Sequence, residues 1–432
     1  MSKDNVILCA LFVAIVVAPL QWLKIPQVGL KVSQLGGIQL VGVVGSLYLL
    51  MPSRITTNQL INILFISVAS LQLPLFISLI YSTEVMAGSL GIARNSIYVA
   101  MSLLIYLCLT RYPIEDVHRY LGKASVYGFY GMLLVLCVSM AALGINAIQV
   151  YLSAIASGRP NLIQFQIYDR LFSAFGGVAG ASSAGRHSVC LYACFAAALN
   201  LSRLRDSQIR WKRLWEDFLT IIIPLAFAVS SLSRQATVVA ACILAFYLIL
   251  ANRLMAFGIV ASGTALILLA LTAEPASEIL AQKFVHDIED NPRTEQIAES
   301  IAEVKESGYV GVGAGVKVSS RTMEPFFAHN LVINHFHQSG LLGLSFSVFF
   351  LLLLSSVCLY LVHLSLNSGS AAVKCSVATA LCLYSIPITR MMVGLAGEWD
   401  YVSCLAFGIA SAIAASVFNS SKAPALQRGA LV

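Results

Sequence analysis

Long apolar runs alternate with short polar turns from one end of the chain to the other. The runs fall at roughly 5–23, 36–51, 59–81, 95–110, 125–147, 187–202, 217–232, 236–251, 255–272, 339–364, 373–389 and 402–419. Most approach the ~20 residues that carry a helix across about 30 Å of hydrocarbon, and they exceed the ~10 residues of a membrane strand. The pattern predicts an all-α, polytopic transmembrane bundle of about twelve spans, forming one membrane domain over residues 1–432. Pro74, Pro224 and Pro387 fall inside these runs and should each kink a helix, because proline removes a backbone donor.

Two polar intervals interrupt the alternation, a shorter one at 148–186 and a long one at 273–338. In the long interval, Asp290-Asn291-Pro292 reads as a helix start, with proline tolerated in the first turn. Ile297, Ile301 and Val304 then recur at the spacing of one apolar face, while Glu295, Glu299, Glu303 and Glu306 largely avoid it. This predicts an amphipathic helix closed by Gly308, followed by the turn-rich Gly308-Tyr-Val-Gly-Val-Gly-Ala-Gly315. Basic residues set the expected sidedness. With both termini cytoplasmic, the inner loops and the termini together hold 14 of the 27, including the cluster Arg203–Arg213. The long interval counts little in that rule, so both polar intervals are expected outside, facing the periplasm.

The composition agrees with a lipid environment: 58% hydrophobic, 11% charged, mean hydropathy +0.83. A soluble domain carries about 25% charged residues. The net charge of +7 needs no nucleic acid, since basic residues at membrane ends serve topology. All ten cysteines lie in or beside apolar runs, which excludes a disulfide framework or zinc site as the obvious reading. The first apolar run lacks a convincing cleavage site and reads as an uncleaved helix. None of the 20 acidic residues falls mid-span, which weakens an ion-coupled transporter and leaves a facilitator or lipid flippase open.

Candidate chemistry gathers at the outer ends. Arg234, in Ser231-Leu-Ser-Arg234, sits on an outer turn where the charge bias disfavours it. A guanidinium fork there suits phosphate oxygens; a snorkelling arginine is the plainer alternative. Arg293 opens the amphipathic helix, where free backbone donors also suit an anion. His329, His335 and His337 precede the 339–364 run. Their helical directions diverge too far for three metal ligands, so a single general base reads better than a metal cage. Glu398-Trp-Asp400 is an acid pair able to hold a divalent ion or to solvate a short loop. The glycines at 308–315 match no phosphate-loop spacing and read as a structural turn.

Three of these pieces together resemble the O-antigen ligase and polymerase superfamily of bacterial membrane glycosyltransferases. Ser-Leu-Ser-Arg234 opening a span resembles that family's Ser-Arg motif. Arg293 followed by Gly308-Tyr-Val-Gly311-Val-Gly313 resembles its Arg…Gly-x-Gly stretch, and His329 followed by Gly340 resembles its His-x10-Gly motif. The match covers about residues 225–350 and agrees in order and loop length, with His335 and His337 extra to the pattern. The resemblance implies a GT-C-like fold in the bacterial inner membrane, with no cofactor. It implies a glycan donor on undecaprenyl diphosphate and a saccharide or lipid A-core hydroxyl as acceptor, alongside polysaccharide assembly proteins. It further implies His329 as base and Arg234 and Arg293 on the diphosphate; Arg321, His335 and His337 stand beside them as secondary candidates of the sequence itself. Ligase and polymerase, for O-antigen or exopolysaccharide, are equally compatible. The rivals are a lipid-linked oligosaccharide flippase or other multi-span transporter, and a peptidoglycan polymerase using Asp169, Glu324 or Asp400.

Overall fold

A computed structural model describes residues 3–20, 57–157, 159, 161–171, 174, 181–205, 215–231, 233–250, 292–319, 327, 330–393 and 400–429. The main helices, in chain order, are α1 (Lys3–Val17), α2 (Gln59–Ser70), α3 (Gln72–Ser78), α4 (Val85–Leu109), α5 (Ile114–Ala142), α6 (Ala147–Ala156), α7 (Ala181–Asn200), α8 (Ile223–Ser230), α9 (Arg234–Leu250), α10 (Pro292–Glu306), α11 (Leu331–Asn367), α12 (Ala371–Val393) and α13 (Tyr401–Gly429). No strand occurs among the described residues. The protein is an all-α membrane bundle.

Six helical stretches among the described residues are long and apolar enough to cross a membrane: Gln59–Tyr81, Val85–Leu109, Ile114–Ala142, Leu331–Asn367, Ala371–Met392 and Tyr401–Ser421. The sequence pattern predicted twelve. Two of the twelve, 36–51 and 255–272, lie outside the described residues. Ile7–Leu20 and Arg234–Leu250 are apolar helices of 10–17 residues, shorter than a full span. The run at 217–232 is a π-turn, Phe218–Ile222, joined to the eight-residue α8. The run at 187–202 lies in α7, whose N-terminal turns carry Ser182, Ser183, Arg186 and His187 and dilute its hydropathy.

The prolines act differently from one another. The ring of Pro74 crowds the carbonyl four residues back, and the chain breaks there, between α2 and α3 at Leu71. Pro224 is the second residue of α8, one residue past the π-turn, where a widened backbone absorbs the missing donor. Pro387 stays within a continuous α12.

The chain forms two compact units: Met1–Ala10, Leu40–Val117 and Pro292–Val432 in the first, Leu11–Gln39 and His118–Asn291 in the second. In the first, α13 is the buried centre, packed between α12 and α4. Small residues let the backbones close. Ser102 Oγ donates to the Cys404 carbonyl at 3.1 Å, and a Cβ on Gly408 would stand 2.6 Å from the Ser102 carbonyl oxygen. In the second unit the centre is α7, buried from Val189 to Leu199 and packed on α8 and α9. Tyr192 fixes it by donating to the Ile15 carbonyl at 2.7 Å.

Candidate functional site

In the first unit, α11 is two helices joined at Gly340, whose φ of 62° and ψ of −148° interrupt the helix. Its first half starts cleanly because the Asn330 side chain accepts from the backbone N–H groups of Val332 (2.8 Å) and Ile333 (3.3 Å). The kink leaves carbonyls without helical partners, and the glycine-rich segment supplies them. Val312 N–H donates to the His337 carbonyl at 2.9 Å, and Gly313 N–H to the Gln338 carbonyl at 3.0 Å. In return Leu341 N–H donates to the Tyr309 carbonyl at 3.1 Å. This close seat explains a glycine at 311, because a Cβ there would lie 2.5 Å from the Gly340 nitrogen. On its other side the segment rests on the turn after α3: Tyr81 donates to the Val310 carbonyl (2.8 Å) and Ser82 Oγ to the Ala314 carbonyl (2.6 Å). The expected structural turn is therefore a saddle over the kink.

The half-helix before Gly340 is buried and polar: Asn334, His335, His337, Gln338 and Ser339 all lie inside. Gln338 donates to the Asn334 side chain at 3.2 Å. Among the described residues, His335 Nδ1 and Ser339 Oγ have no hydrogen-bond partner. His337 Nε2 meets Glu303 Oε2 at 2.6 Å, with the imidazole almost fully buried. Glu303 Oε1 accepts from Ser319 N–H at 2.8 Å, so both carboxylate oxygens are engaged. A carboxylate fixed in this way orients the ring and makes Nε2 the proton-bearing nitrogen.

Glu303 departs from the expected amphipathic pattern. The helix itself begins at Pro292 and ends beside Gly308 as predicted. Its buried face, however, is Ser300 and Val304, with Ile297 exposed. The face is rotated because it packs on a polar half-helix rather than on lipid or an apolar core. That rotation turns Glu303 inward.

The other expected residues are spread unevenly. His329, Arg321, Glu324 and Glu398 lie outside the described residues. Arg293 is the second residue of α10, and its side chain also lies outside them. Asp400 is engaged structurally: it caps α13 through Ser403 N–H at 2.7 Å and stands 3.5 Å from Arg390 Nε. Among the described residues no three His, Cys, Asp or Glu side chains gather as metal ligands.

Arg234 is the first residue of α9 in the second unit and is half-buried. The turn before it is held from the shorter polar interval and from α7. Tyr151 donates to the Ser230 carbonyl at 2.9 Å, and His187 Nδ1 meets Ser233 Oγ at 2.8 Å. Tyr151 also shares a hydrogen bond with Tyr168, whose hydroxyl burial pushes well above the ordinary tyrosine pKa. Sequence reasoning missed Glu303, His187 and Arg186. Glu303 gave no signal, since its partner is 34 residues away. His187 and Arg186 did give one, a basic pair at the outer start of a span.

No protein-family model matches the chain, and no curated protein matches it.

Proposed function

We propose that this chain is an integral-membrane glycosyltransferase of the O-antigen ligase or polymerase type, working at the periplasmic face of a bacterial inner membrane. The observation that carries the reading is the buried polar half-helix from Asn334 to Ser339, locked by Glu303 and saddled by the glycine segment. Buried polar groups are costly in a membrane bundle, and these sit at one end of α11 rather than along a central path. Such placement suits chemistry at an interface. The His329…Gly340 spacing of the sequence motif now has a physical meaning: its glycine is the kink itself.

In this reading the donor is a glycan on undecaprenyl diphosphate and the acceptor a saccharide hydroxyl. The acceptor oxygen attacks the anomeric carbon, His329 takes the hydroxyl proton, and the bond to the diphosphate oxygen breaks. The departing diphosphate carries the electron pair, and Arg234 and Arg293 match its charge. The same reading includes the GT-C arrangement, about twelve spans and both termini cytoplasmic.

A transfer assay on the purified protein, with lipid-linked donor, tests the roles of the histidines. His329→Ala should lose about 10²–10⁴-fold in rate, the usual contribution of a general base. His335→Ala and His337→Ala should lose far less. A dead His337→Ala beside a near-normal His329→Ala would move the base to His337. Full activity in all three would remove the histidine-base mechanism.

A further inference from the structure

Tyr309 is where the saddle departs from its own rule. Its backbone is left-handed, with φ of 66°, and it is the sole non-glycine with a positive φ among the described residues. The other left-handed positions of the 308–315 segment are Gly308, Gly311, Gly313 and Gly315. At 311, 313 and 315 close packing also demands glycine, because a Cβ would press into the backbone of Gly340, Ser82 and Gly88. At 308 it does not: φ is 69° and a Cβ would meet nothing within 4 Å. Glycine there serves the backbone alone, yet the next residue, in the same conformation, is a tyrosine. The tip is held firmly in this strained form. Tyr309 N–H donates to the Val304 carbonyl at 2.9 Å, its carbonyl accepts from Leu341 N–H at 3.1 Å, and Gly311 N–H donates to Ser307 Oγ at 3.1 Å. The ring contributes to none of this. It is 46% exposed, and among the described residues it takes no hydrogen bond, ion pair or ring partner.

We propose that Tyr309 is a saccharide-binding residue, its exposed ring stacking on the apolar face of a pyranose at the saddle. Backbone strain kept for a side chain that holds nothing in the fold points to a contact made outside it. The electron-rich face of the ring meets the slightly positive C–H groups of a sugar's flat face, while the sugar's hydroxyl rim stays in water. Charge sets the tip at water rather than in hydrocarbon: Lys305 and Glu306, in the last turn of α10, and Lys317, beyond the glycines, are all exposed. A fixed backbone and a side chain of two torsions also lose little freedom on binding. The proposal rests on the transferase reading for what the sugar does there, while the site itself rests on the backbone of the saddle. The sugar belongs to the donor glycan or to the acceptor, and either presents the same ring chemistry.

The test uses the full chain in nanodiscs, as wild type, Tyr309→Gly, Tyr309→Asn and Tyr309→Phe. Glycine relieves the strain and asparagine tolerates it, so both variants should unfold at a midpoint close to that of wild type. Saturation-transfer NMR with the methyl glycosides of glucose, galactose and mannose reads the contact. Wild type and Tyr309→Phe should pass saturation to the sugar's ring C–H protons. Tyr309→Gly and Tyr309→Asn should bind about three- to ten-fold more weakly, the range of one aromatic contact. In the transfer assay the same two variants should raise KM by a similar factor for one substrate, donor or acceptor, which tells whose sugar stacks. Equal saturation in wild type and Tyr309→Gly, or a loss in Tyr309→Phe as large as in Tyr309→Gly, would overturn the proposal. So would a midpoint far below wild type in both Tyr309→Gly and Tyr309→Asn, because the ring would then belong to the packing of the fold. Saturation passing to lipid headgroups in place of the glycosides would make Tyr309 a membrane anchor and overturn it as well. Sugar binding that depends on Tyr309, without glycan transfer, leaves the site standing and removes the transferase reading. Transfer with KM unchanged for both substrates in Tyr309→Gly removes the sugar contact and leaves the transferase reading standing.

Discussion

Glu303 and His337 set the residue-scale logic of the first unit, because each is intelligible through the other. A carboxylate facing a buried imidazole at 2.6 Å, with its second oxygen held by Ser319 N–H, ties α10 to the half-helix before the kink. Glu303→Ala would strand that imidazole. The expected cost is about 1–3 kcal/mol, the usual penalty for a charged hydrogen bond lost at a buried partner. Glu306→Ala, on the exposed face, should stay within about 0.5 kcal/mol. Thermal unfolding of the two variants in detergent checks this; equal midpoints would show that the pair holds nothing. The sequence displayed His337 plainly and hid Glu303, since helical periodicity reports which residues avoid lipid and not which polar partner awaits them. Asp400 shows the converse. A motif able to hold a divalent ion includes a helix cap beside Arg390.

At the scale of elements, Gly340 decides the shape of α11. Its backbone sits where glycine alone is comfortable, and a Cβ there would run into the Tyr309 and Val310 backbone. Gly340→Ala should cost at least about 1–3 kcal/mol from backbone strain alone. It should also unseat the 308–315 segment. Hydrogen exchange at Val312 and Gly313 reads this directly, because both amides donate across the kink. Faster exchange there, with protection kept along α13, is the expected outcome; unchanged exchange would mean the saddle does not depend on the kink. The helices themselves were largely legible: 59–81, the start of α10 at Pro292 and the 373–389 and 402–419 runs all fall on observed helices. The kink was not, because a glycine inside an apolar run looks the same whether it bends the chain or merely packs closely. The proline breaks were partly legible. Pro74 acts through the turn preceding it, while Pro387 leaves α12 whole.

At the scale of the molecule, the six membrane-length helices among the described residues and a polar saddle near the start of one of them describe a membrane protein with a distinctive end. The proposed sidedness puts that end outside. In a cysteine-free background, a cysteine replacing Lys317 should be labelled by an impermeant thiol reagent in intact cells, and one replacing Ser207 should be protected. The reverse pattern would invert the topology and place the saddle inside. The proposed function centres on a chemical step in which a glycan leaves its lipid diphosphate and bonds to an acceptor. The most direct measurement is product analysis after incubating purified protein in nanodiscs with an undecaprenyl-diphosphate-linked glycan and a saccharide-bearing acceptor, by mass spectrometry of both lipid and glycan. Free undecaprenyl diphosphate should appear in equal amount to a new glycosidic product, with both lost in Arg234→Ala. An intact donor that crosses vesicle membranes with no bond made or broken would contradict the transferase and favour a flippase.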